Sequence, residues 1–284
     1  MDNANTFINA SASSYYWKGK GLCSIKTFSN GNAYYNTGKG YYRVDNNSFL
    51  ILNNDTEYSI KINQPAPVSS FCLFFKKELL SELGSLVFRK PEFLIDNYNF
   101  LPDDYNFFER TLPLEQLNTS SFYRFRTDFE SFKSDQFWIT ENFVSIINDL
   151  ARINSDNYLE MGKLQIKSRP ARQEVYKRVL IAREYLHYCY HRNVSLEEVA
   201  NISFLSLNHL LRCFKQVFGI SPHQYLLTIK LQQAQRLLTN GNSSLNQVCD
   251  EIGFQSVGTF CNLFKRKTGV TPQEYKTKKV ISNN

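Results

Sequence analysis

Between residues 193 and 275 one pattern is written twice. The first copy opens on Ser195, Leu196 and Val199, crosses a short turn, and continues from Ser206 to Phe214 and Lys215. It closes on Gly219, Pro222 and Tyr225. Ser244, Leu245 and Val248 repeat the opening 49 positions later, and Phe264, Lys265, Gly269, Pro272 and Tyr275 repeat the rest 50 positions later. One residue is therefore inserted at the turn of the second copy. Two copies with a spacer between them make a tandem module and not a solenoid, whose identical units must stack one on the next.

Local chemistry places each copy on helices. Ser195 followed by Glu198 has the form of a capping box, Ser206 caps the next helix, and Gly219 suits a left-handed helix end. Ser221-Pro222 then starts a long helix whose apolar set is Leu226, Ile229, Ala234, Leu237 and Leu238, ending at Asn240-Gly241. The second copy repeats the plan with Ser244, Gly253, Ser256, Gly269 and Thr271-Pro272. Helix, short turn, helix is the helix-turn-helix arrangement. Two of them on a spacer of roughly 25 Å (about 17 residues at ~1.5 Å each) could enter successive major-groove segments on one duplex face, about 34 Å apart.

Charge separates this half from the rest. Residues 1–170 hold 18 Lys and Arg against 19 Asp and Glu, whereas residues 171–284 hold 15 against 7. The chain's net charge of +7 thus lies wholly in the half with the repeat, the footprint of a nucleic-acid-binding domain. Aromatics lean the other way, with 30 of 42 in residues 1–170. The six cysteines include no C-x-x-C pair and read as reduced core thiols. The amino terminus has neither a basic nor an apolar leader segment, and no apolar run approaches a membrane span, so an unsecreted, cytoplasmic protein is expected.

The first half reads as strands over residues 22–28, 41–44, 48–52, 58–62 and 69–75, with turns at Asn30-Gly31, Gly38, residues 53–55 and Pro65-Ala66-Pro67. A helical stretch over 76–83 follows, then residues 84–118 without a clean period, where further strands would complete a barrel. Phe122, Phe125, Phe129 and Phe132 mark an amphipathic helix. A second carries Ile139, Phe143, Ile146, Ile147, Leu150 and Ile153. This second stripe fits equally a face packed on the barrel and a seam with a second subunit, a homodimer through helix 139–153. The reading is α+β: residues 1–155 a sensor and dimerisation domain, 156–170 a linker, and 171–284 an all-α DNA-binding domain.

Residues 172–278 resemble the AraC family of bacterial transcription regulators. The second copy carries the likeness best, in Val248, Gly253, Phe254, Phe260, Phe264, Lys265, Gly269, Pro272 and Tyr275; Cys249 departs from the family's usual Ala. The resemblance implies seven helices with two helix-turn-helix motifs. It implies base contacts from Leu207, Asn208, Leu211 and Arg212 in the first motif and from Val257, Gly258, Thr259, Cys261 and Asn262 in the second. Arg212 suits guanine and Asn208 adenine, whereas the second set has little hydrogen-bonding reach, so the first motif is expected to supply most of the base reading. Ser206, Lys215, Ser256, Lys265, Arg266 and Lys267 are the phosphate-contact candidates. Double-stranded DNA and RNA polymerase are the implied macromolecular partners, with an activating role.

The first half is similar to the cupin-like sensor domains that precede such DNA-binding domains, which implies a small-molecule effector. Trp17, Tyr35, Tyr42 and Tyr58 are the candidate ligand residues. Metal-holding cupins need His, and the four histidines, His187, His191, His209 and His223, all lie in the second half. No metal, cofactor or catalytic residue is therefore expected, and no Ser-His or Cys-His pair can form in the barrel. His187 and His191, four apart, read as surface residues. The rival readings are a nucleic-acid binder without sequence preference and a cupin-type enzyme fused to a DNA-binding domain.

Overall fold

The computed structural model describes residues 6–78, 80, 106–117, 119–132, 135–239 and 243–282. The chain forms two compact units that part between Lys163 and Leu164.

The first unit is a nearly closed antiparallel barrel with helices. Its strands are β1 (Thr6–Lys20), β2 (Cys23–Ser29), β3 (Ala33–Asn36), β4 (Tyr41–Val44), β5 (Ser48–Leu52), β6 (Glu57–Phe75) and β7 (Thr111–Pro113). They run in the order β4-β3-β6-β2-β5-β7, with β1 also on β6. β6 organises the sheet: β1 lies along both its halves, β3 pairs with its first half and β2 with its second. The sequence signals a turn at Pro65-Ala66-Pro67, but the strand continues through it. The β1–β6 register steps there from Ala12 opposite Val68 to Ser14 opposite Asn63. The two prolines thus occupy a bulge where no ladder bond asks for an N–H. β3 and most of β1 were not evident in the sequence. The expected strands over 84–118 are represented by β7, paired with β5; residues 81–105 and 118 lie outside the described residues.

Alternation along the strands divides the interior in two. Cys23, Ile25, Phe49, Ile51, Phe71, Leu73 and Phe75 face the helices α1 (Thr119–Phe132) and α2 (Gln136–Gly162). Phe28, Leu50, Leu52 and Cys72, one residue out of step, face a second cluster with Tyr35, Tyr42 and Tyr58 inside the barrel. On α1, Phe122, Phe125 and Phe129 are buried while Phe132 is exposed. Phe125 stacks on Trp138 with ring centroids 5.4 Å apart and meets Phe143 edge-on.

Helix α2 starts on Asp135, whose carboxylate accepts from the N–H of Phe137 and of Trp138. Its stripe, Phe143, Ile146, Ile147, Leu150 and Ile153, is spent on the unit's own core. The helix also runs past the expected start of the linker at 156. Arg110, buried beside β7, donates to Asn157 Oδ1 at 2.8 Å and to Glu160 Oε2 at 2.7 Å, giving the last two turns a buried ionic anchor.

The second unit has seven helices among its described residues: α3 (Arg169–Cys189), α4 (Leu196–Ile202), α5 (Leu207–Phe218), α6 (Pro222–Thr239), α7 (Leu245–Glu251), α8 (Val257–Thr268) and α9 (Pro272–Ser282). Residues 240–242, where α6 was expected to end, lie outside the described residues.

Phe125 is completely buried among aromatic rings. Phe125→Ala should lower the unfolding free energy of the first unit by about 3–5 kcal/mol, the cost of a large core cavity. Urea unfolding followed by fluorescence of the neighbouring Trp138 checks this.

Candidate nucleic-acid interface

The two copies fold alike down to individual bonds. In the first, α4 and α5 meet at a turn where Leu205 N donates to Ala200 O at 3.0 Å; in the second, Phe254 N donates to Cys249 O at 2.9 Å between α7 and α8. Phe204 and Gly253 hold the same left-handed position, with φ of 55° and 69°. The inserted residue is therefore Gln255, just beyond the shared turn. Each copy is closed by a tyrosine from the following helix set edge-on against a phenylalanine. Tyr225 meets Phe214 at 5.4 Å and 75°, and Tyr275 meets Phe264 at 5.5 Å and 80°. Gly219 and Gly269 end α5 and α8 in the left-handed conformation, as their positions in the sequence predict.

The copies are mounted differently. In the second, Ser244 and Gln247 form a reciprocal capping box. In the first, Ser195 accepts from Glu198 N, but the Glu198 carboxylate turns away to Arg192 and the Tyr185 hydroxyl. The expected box is not closed, because a charge-assisted bond to a guanidinium is stronger than one to a backbone N–H. Arg192 holds the Glu198 carboxyl below its ordinary range, with Tyr185 adding to the effect. Behind the first motif, Tyr225 Oη accepts from Arg183 Nε at 2.8 Å and lies 3.0 Å from His187 Nε2. His187 is thus half-buried in a polar cluster and not a surface residue, whereas His191 is exposed. Among the described residues no group of His, Cys, Asp and Glu could hold a metal.

Lys230, on the spacer helix α6, fixes the second motif. Its ammonium is buried, donates to Gly253 O at 2.7 Å, and lies 3.5 Å from Arg192 O at the end of α3. Burial holds its pKa below the ordinary lysine value. Gly253 lies so close to the turn after α3 that a Cβ there would sit 2.5 Å from His191 O.

On α5, Asn208 and Arg212 are exposed, and Leu207 and Leu211 are half-buried beside them. His209 lies under the same surface, and burial, Arg212 and Arg178 keep its pKa low. On α8, Gly258, Thr259 and Asn262 are exposed, but Val257 and Cys261 pack against the second motif's own core. These two base-contact candidates are half-buried, as are Leu207 and Leu211 at the matching positions of α5. Lys215, Lys265, Arg266 and Lys267 are all exposed. Ser206 and Ser256 cap α5 and α8, each accepting from the N–H three residues on at 3.4 Å.

The aromatic candidates of the first unit surround a cavity of about 520 Å³ inside the barrel. Trp17, Tyr35 and Tyr58 line it; Tyr42 is buried in the same cluster without lining it. Sequence reasoning missed Lys26, which lines the cavity from β2 and is 3% exposed. Its ammonium sits over the Phe74 ring at 3.8 Å and the Tyr58 ring at 5.4 Å. Burial brings its pKa down to about 8. In the sequence, Lys26 beside Ile25 looks like the solvent side of an alternating strand.

Residues 199–278 match the model of the helix-turn-helix domain family. The chain is 32% identical over 91 residues to the probable transcriptional regulator LumQ of Photobacterium leiognathi, covering 32% of this chain and 37% of LumQ. It is 36% identical over 81 residues to the transcriptional activator RhaS of Escherichia fergusonii, covering 28% of this chain and 29% of RhaS. Among solved structures it is similar to the C-terminal domain of AraT, a response regulator from Geobacillus stearothermophilus. That likeness is 28% in sequence with a TM-score of 0.35, covering 36% of this chain and 84% of that one. The matched stretch spans about a third of the length of the first curated relatives. Among the described residues no helix is long and apolar enough to cross a membrane.

The two left-handed glycines separate strain from collision. Gly219→Ala meets no atom within 4 Å and should cost only the ~1–2 kcal/mol of an L residue in that conformation. Gly253→Ala should cost distinctly more, because the backbone of the turn at His191 and Arg192 must also move. Thermal unfolding of the two variants side by side checks the order.

Proposed function

We propose that this chain, whose residues 199–278 are an AraC-type helix-turn-helix domain, is a sequence-specific DNA-binding transcription regulator. The observation that carries the reading is the pair of matching helix-turn-helix units, with Asn208 and Arg212 exposed on α5 inside the half that holds the chain's excess positive charge. A guanidinium and a carboxamide on one helix face can each make paired hydrogen bonds to a purine edge. The second motif offers less. Thr259 and Asn262 are its exposed hydrogen-bonding side chains at the candidate positions, so α8 contributes mainly through Lys265, Arg266 and Lys267 to phosphates.

The cavity-bearing first unit is the effector-sensing part of this regulator, and residues 164–284 are the DNA-binding part. An effector acts by binding one state of the protein better than another, which shifts the population. A homodimer formed through α2 would use the face of that helix opposite its buried stripe. RNA polymerase is the further partner of an activating regulator of this kind.

Arg212→Ala should cost about 1–3 kcal/mol of specific binding and relax preference at one base pair, whereas Lys265→Ala should weaken all sequences alike and flatten the salt dependence. Selection of binding sites from a random DNA pool, run with both variants, is the check. An unchanged base preference for Arg212→Ala would remove Arg212 from base reading. Equal affinity of the unaltered protein for all sequences at fixed salt would replace this reading with that of a non-specific binder.

A further inference from the structure

Among the described residues the second unit leaves one large apolar side chain exposed, Phe204, at 64%. Its backbone is unusual as well. Asn30, Asp55 and Phe204 are the non-glycine residues with a positive φ among the described residues. Asn and Asp visit this region readily, whereas a bulky residue does so under strain. The matching position of the second copy is Gly253, so the turn itself needs no ring there. Phe204 thus combines a strained backbone with apolar surface in water, and a ring so exposed adds little to the core.

The turn holds this residue firmly. Phe204 N donates to Asn201 O at 3.1 Å, and its carbonyl accepts from Arg178 Nη1 at 2.9 Å. Arg178 Nε donates in turn to Glu174 Oε1 at 2.9 Å. Phe204 stands two residues ahead of Ser206, the cap of α5. In a helix-turn-helix unit the first residues of the second helix meet base edges, so the residue just before that helix comes to the rim of the major groove. The surroundings are cationic. Burial keeps the pKa of His209, in the first turn of α5, low, and Arg212 and Arg178 add to it, so both guanidiniums lie near this end of the helix. A partner here must be anionic and also present an apolar group. Duplex DNA does both, because the 5-methyl group of thymine stands among polar base edges in the major groove.

We propose that Phe204 is a DNA-reading residue of the first motif, its ring set against the 5-methyl group of a thymine at the rim of the segment that α5 enters. The contact takes the exposed ring out of water and gives the strained turn a function. This rests on the chain being a sequence-specific DNA-binding regulator; it adds a reading residue outside the two recognition helices and the base that it selects.

The test uses the full-length protein and the site it selects from a random DNA pool. Each thymine of that site is replaced in turn by deoxyuridine, which deletes the methyl group and leaves the base pair intact. One replacement should weaken binding of the unaltered protein by roughly fourfold, the effect of withdrawing one methyl group from apolar contact. Phe204→Gly should bind the unmodified site at least as weakly as that and no longer distinguish thymine from deoxyuridine at that position, with preferences elsewhere unchanged. Glycine suits the left-handed turn, so this variant should melt no lower than the unaltered protein, which separates a lost contact from a lost fold. Thymine and deoxyuridine bound alike at every position would overturn the proposal. Phe204→Gly that keeps full DNA affinity would overturn it too, and would leave the ring to a protein surface. Phe204→Gly that weakens all sequences alike and still discriminates the methyl group would overturn it in favour of a contact to the sugar backbone. A lack of any preferred site for the unaltered protein would overturn the regulator reading beneath it, a result distinct from these three.

Discussion

One ammonium group ties the turn of the second helix-turn-helix unit to the spacer helix. Lys230 leaves the middle of the spacer helix and bonds to the carbonyl of Gly253 in the turn of that unit, close to the carbonyl of Arg192 at the end of α3. Carbonyl oxygens can each accept a second bond, so the cation is satisfied without a carboxylate and without disturbing either element. Phe254 lies against the same ammonium at 5.3 Å. The absence of a side chain at Gly253 lets the turn after α3 come close enough for this to happen. The first unit of the pair depends on a different device, the Arg192, Glu198 and Tyr185 cluster, so Arg192 serves one motif with its side chain and lies at the other's anchor with its backbone.

Among the described residues two lysines are buried, and their surroundings divide them. Lys230 has carbonyls that face it. Lys26 lies over the Phe74 and Tyr58 rings, which attract a cation far more weakly than a full hydrogen-bonding shell does. Burial depresses the pKa of both, yet one is a completed structural joint and the other makes no hydrogen bond or ion pair among the described residues. The distinction lies in the partners and not in the titration.

Most of the second unit was legible in the residues, because its signals are local. Capping hydroxyls at Ser206, Ser244 and Ser256 and the helix-ending Gly219 and Gly269 act within one turn of chain, and the repeat let each copy confirm the other. Signals that depend on distant partners were not legible. Glu198 fits a capping box until Arg192 is placed beside it. The prolines at 65 and 67 read as a turn until the register slip in β1 shows that nothing there needs an N–H. Lys26 reads as solvent-facing because a barrel strand has two covered faces, and alternation cannot tell a solvated side from an enclosed one.

Five of the seven helix starts described in the second unit fall into two kinds. At α6, α7 and α9 the third residue is Gln224, Gln247 or Glu274, and its side-chain oxygen reaches back to the N–H of Ser221, Ser244 or Thr271. At α5 and α8 the corresponding residues are His209 and Thr259, which supply no such oxygen, and one long bond to the capping serine is the side-chain closure found there. Three ends are thus sealed by the chain's own oxygens. The two that carry the exposed Asn208, Arg212 and Asn262 keep the partial positive charge of their first turn unanswered, and an acidic oxygen from outside meets no resident one there.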